Sequence, residues 1–293
     1  MDISEGAVMI NLSRRRFLSH AAIGGLLTAA APLTPRMAQA GGNNTRAKPT
    51  GISFFGAGFY PMVAHVVAGT TLRFSNRGAQ TLSMASAPHA PAKLGASVAA
   101  NDDANVHFPK PGIYLIYDNS TTRFDGDVGQ VVARKSSASY PRPAYAIVVA
   151  TDKRGLGLEP QKPEVVIPES TMTFRPWSLV VTAGEAIHFD NEDGDMHVAM
   201  PASEPMLMPL SAHRESGPEG EAGLWLEKMN AFAPMKLPGN GGRATLTLSQ
   251  PGVHHYFCPV HAVYDAQART FAPLRSYGGY PFIMDGVIVV LPK

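Results

Sequence analysis

Short runs of β-branched and aromatic residues recur along the chain between Gly, Pro and Asn, as in Leu179-Val-Val-Thr182, Thr245-Leu-Thr-Leu248 and Val287-Ile-Val-Val290. Runs of this length bounded by turn formers read as strands. Amphipathic windows of helix length are few, so the pattern predicts an all-β chain. It also repeats. Phe59-Tyr-Pro61 through Ala68-Gly69 to Phe74-Ser-Asn76 matches Phe174-Arg-Pro176 through Ala183-Gly184 to Phe189-Asp-Asn191 at an offset of 115. Pro111-Gly112, Asp125 and Tyr140-Pro141 match Pro251-Gly252, Asp265 and Tyr280-Pro281 at an offset of 140, so the second copy holds about 25 more residues in its middle. Two units of about 110 to 130 residues fit two antiparallel sandwiches, each with its own core.

The remaining segments set the boundaries. Ser13-Arg14-Arg15-Arg16-Phe17-Leu18 precedes an apolar stretch from Ala21 to Leu33, and Ala38-Gln39-Ala40 supplies small residues for cleavage. The order resembles a twin-arginine export signal. The apolar stretch is shorter than the ~20 residues a membrane-spanning helix needs, so an exported, periplasmic protein without a membrane span is expected. Cleavage after Ala40 would leave 253 residues with 21 basic and 21 acidic side chains, a balance that gives no reason to expect nucleic acid. The organisation read from the chain is a leader at 1–40, a first sandwich at 41–152, a linker at 153–163 and a second sandwich at 164–293. The Gly/Pro/Glu-rich stretch from Glu215 to Gly223 reads as a loop of the second unit, followed by a short helical turn around Leu224 to Met229.

The candidate chemistry lies in the second unit. Its single cysteine, Cys258, stands in Pro-Gly-Val-His-His-Tyr-Phe-Cys-Pro-Val-His (251–261), with His261 three residues on and His197 closing Asn-Glu-Asp-Gly-Asp-Met-His (191–197). One cysteine forms no intramolecular disulfide, and in an oxidising compartment coordination would protect the thiol. A thiolate with two imidazoles is the trigonal donor set of blue-copper electron-transfer sites, usually completed by a weak axial methionine, and Met284 is available.

With an Ala-Gly turn before a strand, an Asn before a loop histidine, a Pro-Gly strand ending in Cys-x-x-His and a Met-x-Gly opening the last strand, the second unit resembles a cupredoxin of the plastocyanin and azurin type. The resemblance implies tandem Greek-key β-sandwiches with one type 1 copper ion at one end of the second, held by His197, Cys258, His261 and Met284. It also implies electron exchange with a redox partner protein at the exposed histidine edge. Plastocyanin-like domains place only a few residues between the second histidine and the methionine, whereas 22 separate His261 from Met284 here, which leaves Gln267 as an alternative axial donor. Aligned with the four ligands, the first unit carries Leu82, Asp118, Thr121 and Ala144, so it is expected to bind no type 1 copper and to play a structural or docking role.

Other residues compete less well for a place in this set. Met196, Met200, Met206 and Met208 with His213 would suit Cu(I) trafficking or would simply pack. His254 and His255 read as surface groups or as groups behind the ligands more than as ligands, residue 254 lying ~13 Å from residue 258 along an extended strand. The insertion 262–282, with Tyr264, Phe271, Tyr277 and Tyr280, is either a gate over the electron port or a packed loop. No His-x-His pair of the kind that tandem cupredoxin enzymes use for a second copper centre occurs, nor does a Gly-x-Ser-x-Gly elbow or a His-Glu-x-x-His helix. The expectation is therefore a non-enzymatic electron carrier, with copper handling and a metal-free interaction module as alternatives.

Overall fold

The computed structural model describes residues 51–202, 232–265, 268–274 and 282–293. The leader, Met206, Met208, His213, Gln267, Tyr277, Tyr280, the 215–223 loop and the turn after it lie outside those residues. Among the described residues all helix or strand assignments are strand.

The first sandwich is built from β1 (Gly51–Phe54), β2 (Phe59–Tyr60), β3 (Val63–Val67), β4 (Thr70–Asn76), β5 (Leu82–Ser86), β6 (Gly95–Val98), β7 (Asp103–Phe108), β8 (Gly112–Asp118), a hairpin of β9 (Thr122–Asp125) and β10 (Gln130–Ala133), and β11 (Tyr145–Thr151). One sheet runs β2-β1-β4-β7 and the other β3-β11-β8-β5-β6. The second sandwich follows with β12 (Glu164–Ile167), β13 (Ser178–Thr182), β14 (Ala186–Asn191), β15 (His197–Pro201), β16 (Met235–Leu237), β17 (Gly242–Thr247), β18 (Gly252–Phe257), a hairpin of β19 (Ala262–Asp265) and β20 (Thr270–Pro273), and β21 (Asp285–Leu291). Its sheets run β12-β14-β17 and β13-β21-β18-β15-β16. The two sandwiches repeat one another strand by strand except at β2, whose place in the second is taken by an isolated bridge between Arg175 and Val166. Each sheet also contains one parallel pair, β1 with β4, β3 with β11, β12 with β14 and β13 with β21, so the sandwiches are mixed and not purely antiparallel.

Burial explains how the halves fit together. Ala144, Ala146, Val148 and Ala150 of and beside β11 face the first sandwich's own core, together with Phe59, Phe74 and Phe108. Met284, Ile288 and Val290 do the same in the second, with Phe174, Phe189, Tyr256 and Cys258. The alternate residues, Tyr145, Ile147 and Val149 on β11 and Val287, Val289 and Leu291 on β21, join a third core with Trp177, Leu115, Val253, Phe257 and Phe271. Strands β11 and β21 are consequently buried along their whole length. Continuous apolar runs are what strands buried on both faces require. The two five-stranded sheets thus pack face to face as the middle layers of four.

The hairpins clasp this interface reciprocally. From β9–β10, Gln130 donates to the Asp285 carbonyl at 3.2 Å, and Val132 bridges to Phe282. From β19–β20, Thr270 donates to the Pro143 carbonyl at 2.9 Å, Asp265 pairs with Arg142 at 2.6 Å, and the Arg269 guanidinium lies 4.0 Å from the Phe55 ring centroid. The described part of the insertion after His261 is therefore a hairpin packed on the other sandwich.

Candidate metal centre

Three adjacent strands, β21-β18-β15, bring the candidate ligands to one end of the second sandwich. His197 opens β15, Cys258 follows the last residue of β18, and Met284 precedes the first residue of β21. A turn closed by the N–H groups of His261 and Ala262 on the Cys258 carbonyl, at 3.0 and 2.9 Å, swings His261 back beside the cysteine. The Cys258 N–H donates to the Met284 carbonyl at 2.9 Å, which ties the two strand ends together.

The donor atoms of His197, Cys258 and His261 lie within 4.8 Å of one another. The two Nδ1 atoms are 3.2 Å apart, and Cys258 Sγ is 4.0 Å from His197 Nδ1. His197 and Cys258 are fully buried, and His261 retains 6% exposure, which makes it the member of the trio nearest solvent. Met284 is 1% exposed and shares the apolar core with Cys258.

Surrounding groups fix the roles of these atoms. His197 Nε2 meets Asp193 Oδ2 at 2.9 Å. A carboxylate accepting from Nε2–H leaves His197 Nδ1 as a free lone pair directed at the cluster, the orientation that carboxylates impose on metal-binding histidines. Asp193 is itself held. Burial opposes its ionisation, but hydrogen bonds from His197, Ser170 N and Gly194 N keep the carboxyl below its usual range. Asn191 positions the loop, donating to the carbonyls of Asp195, Leu237 and Pro238 and accepting from Asp193 N–H. The Val198 N–H points at Cys258 Sγ, 3.4 Å away.

Burial raises the Cys258 thiol above its ordinary range despite N–H groups around it, and burial with the neighbouring His197 lowers His261. In the absence of a cation the site therefore favours a neutral thiol and a neutral His261 imidazole. A first-row metal ion about 2.0–2.1 Å from each nitrogen fits between nitrogens at this separation, with the sulfur as the third donor. The donor set, one thiolate and two imidazoles in an apolar pocket, is that of copper.

The first sandwich closes the same loop with a carboxylate and hydroxyls in place of a thiol and imidazoles. Asp118, at the place of Cys258, is buried, and its carboxylate accepts from Ser83 N at 3.2 Å, Ser120 N at 3.2 Å, Ser120 Oγ at 2.7 and 2.8 Å, and Thr121 Oγ1 at 2.7 Å. Ser83 corresponds to Val198, and Thr121 to His261. Leu82 and Ala144 are buried core residues.

Of the other sequence candidates, Met196 is 50% exposed and Met200 packs against the core between the sandwiches. His254 and His255 are each only 1% exposed, which excludes a surface location. Asp193, four residues before His197, does not stand out in the sequence. Its signal there is only that of a short acidic loop residue preceding a histidine.

No family model matches the chain, and no curated protein matches it. Among solved structures, a purple cupredoxin from Nitrosopumilus maritimus aligns at 14% identity over 43% of this chain and 97% of its own, with a TM-score of 0.24. The plastocyanin of Dryopteris crassirhizoma aligns at 19% identity over 43% and 98%, with a TM-score of 0.24. A copper-containing nitrite reductase from Thermus scotoductus aligns at 17% identity over 78% of this chain and 59% of its own, with a TM-score of 0.25. At TM-scores of this size the likeness adds nothing to what strand order and donor geometry establish. By those two criteria the chain is a tandem of mixed β-sandwiches, with a His–Cys–His cluster at one end of the second.

Proposed function

We propose that the chain is an exported electron carrier that holds one type 1 copper ion in its second sandwich, with His197, Cys258 and His261 as strong ligands and Met284 as the weak axial one. The observation that carries this reading is the convergence of one buried thiol and two buried imidazoles, with ring nitrogens 3.2 Å apart. A copper ion would supply reversible one-electron chemistry there. The protein's part is to keep the donors still. Asp193 fixes the tautomer of His197, the 258–261 turn fixes His261, and β18 and β21 fix Cys258 and the Met284 backbone against each other. Burial of all four side chains excludes water, and His261 offers the shortest way out to a partner protein. Ligands anchored this firmly need little rearrangement between oxidation states.

The twin-arginine-like leader is the basis for placing the protein outside the cytoplasm, and the lack of His-x-His pairs is the basis for reading it as a carrier and not an oxidase or reductase. The test is a visible absorption titration with Cu(II), beside Cys258→Ser. An intense thiolate-to-copper charge-transfer band that saturates at one equivalent and is lost in the variant is the expected result. Colourless binding of Cu(I) alone would replace electron transfer with copper handling, and binding of neither ion would leave an interaction module.

A further inference from the structure

Next to the metal centre, the interface between the sandwiches contains a buried polar cluster that the electron-carrier reading does not use. Asp285 directly follows Met284 and is 2% exposed. Its Oδ2 accepts from Tyr145 Oη at 2.6 Å and faces His255 Nε2 at 2.8 Å, while its Oδ1 accepts from Trp177 Nε1 at 2.9 Å. Its carbonyl accepts from Gln130 Nε2 at 3.2 Å. Tyr145 and Gln130 belong to the first sandwich, so both the side chain and the backbone of residue 285 are held from across the interface.

The repeat shows that these groups are not dictated by the fold. At the offsets of 140 and 115, Asp285, His255 and Trp177 correspond to Tyr145, Leu115 and Met62 in the first copy. The equivalent interface positions of the first sandwich are thus apolar or phenolic, and among the described residues this carboxyl–imidazole–indole cluster stands only beside the His–Cys–His end of the second. Burying a carboxylate costs several kcal/mol unless hydrogen bonds repay it, and hydrophobic replacements at such places are often neutral or stabilising. Packing alone gives no reason for the cluster.

Its geometry leads to Met284. Residues 282–285 are held at one end by the Val132–Phe282 bridge and at the other by the four contacts on Asp285. Between them the Met284 carbonyl accepts the Cys258 N–H. Freedom at Asp285 therefore becomes freedom in the distance between the Met284 and Cys258 side chains. The axial donor is the ligand through which protein control of a blue-copper potential acts most directly.

We infer that Tyr145 and Gln130 of the metal-free sandwich, acting through Asp285 with Trp177 and His255, are positioning residues for Met284, so that the first sandwich sets the electronic properties of a site it does not touch. The inference rests on the proposed copper site, and its test is arranged so that the two fail separately. In full-length protein labelled with 13C at the methionine methyls, Tyr145→Phe is compared with Thr270→Val. The second variant removes an equally buried interface hydrogen bond, Thr270 Oγ1 to the Pro143 carbonyl at 2.9 Å, that does not reach Asp285.

In the metal-free state the Met284 methyl resonance, assigned by Met284→Leu, is expected to move in Tyr145→Phe and to stay in place in Thr270→Val. With copper bound, the ratio of Cu(I) to Cu(II) affinity is expected to change about tenfold in the first variant only, which is about 59 mV for one electron. Should Tyr145→Phe not fold, Gln130→Met, which removes one long hydrogen bond, is expected to move the same two readouts in the same sense. Unmoved readouts in a folded variant, or equal movement in Thr270→Val, would overturn the inference. If wild type binds no copper the copper reading fails, while the methyl resonance still decides whether the cluster positions Met284.

Discussion

Replacing Asp193 by Asn tests how the candidate site is organised. Asp193 Oδ1 accepts the N–H groups of Gly194 at 2.8 Å and Ser170 at 3.2 Å, and Oδ2 faces His197 Nε2 at 2.9 Å. An asparagine must keep its oxygen on the two backbone donors, which turns its NH2 group toward His197. Two donors cannot face each other there, so His197 must move its proton to Nδ1, into the space it shares with Cys258 and His261. A metal ion would then have to displace that proton and do without the carboxylate's support. Losing an outer partner of this kind costs roughly 10–100-fold in metal affinity, or about 1.4–2.7 kcal/mol. Fold stability should change little, because the backbone donors keep an acceptor. The assay is anaerobic competition for Cu(I) against a chromophoric chelator, with long-range 1H–15N spectra of the metal-free imidazoles to read the tautomer. An affinity within twofold of wild type, with the His197 proton still on Nε2, would refute the reasoning.

Other consequences are equally direct. Burial lowers His254 from 6.5 to about 4; because the folded-state value is the depressed one, the unfolded chain takes up the proton first as pH falls. The metal-free protein should thus lose up to about 3 kcal/mol between about pH 6.5 and pH 4 from this group. His254→Tyr, which copies Tyr114 and its 2.8 Å bond to the Lys110 carbonyl in the first sandwich, should flatten that part of the curve in urea titrations at pH 7 and 4.5, and parallel curves would contradict the assignment. Asp118→Ala strands the N–H groups of Ser83 and Ser120 and should cost about 2–4 kcal/mol in thermal unfolding while leaving Cu(I) affinity within twofold. Phe271→Ala empties a fully buried position in the core between the sandwiches. It should cost about 3–5 kcal/mol of unfolding free energy, and a cost below about 1 kcal/mol would mean that the hairpin does not bind the halves together.

Much of the architecture is legible in the sequence because strands, turns and the repeat are local properties. The offsets of 115 and 140 place most strands of the second sandwich on those of the first, and the spacing Cys-x-x-His at a strand end is that of the turn in which the His261 N–H meets the Cys258 carbonyl. The packing of the sandwiches is harder to read. Two units each burying one core should alternate polar and apolar residues on their outer sheets, and the uninterrupted runs Ala144–Ala150 and Val287–Leu291 break that rule in plain view. They signal a second buried face, where the sequence reading expects separate cores. Asp285, Trp177 and Tyr145 are invisible as a group because they lie 108 and 140 residues apart and meet only across that face. Asp193 escapes notice for a different reason. Its role depends on a loop conformation set by Asn191, and an acidic loop residue is ordinarily just solvated.

The two copies differ in how the turn at the end of the sheet is fastened. In both, the turn after β8 or β18 must be fastened to the start of β5 or β15 across the end of the sheet. In the first, a carboxylate does this with four partner atoms, so the loop is complete as folded. In the second, Val198 reaches the side chain of residue 258 through a 3.4 Å N–H to sulfur contact, far weaker as an anchor than a carboxylate. The remaining groups are two imidazoles and the thiol, of which burial favours the neutral form of Cys258 and of His261. A proton on His261 Nδ1 bridges the two ring nitrogens, 3.2 Å apart, but leaves the Cys258 sulfur with only weak N–H contacts. A cation that accepts all three donors engages the sulfur as well, which is the sense in which binding energy at such a site is also folding energy. Metal should therefore raise the unfolding temperature through the second sandwich's end, and Asp118→Ala should lower it equally with and without metal. If metal rescued Asp118→Ala, the two ends would be energetically coupled and the division of labour between the sandwiches would be wrong.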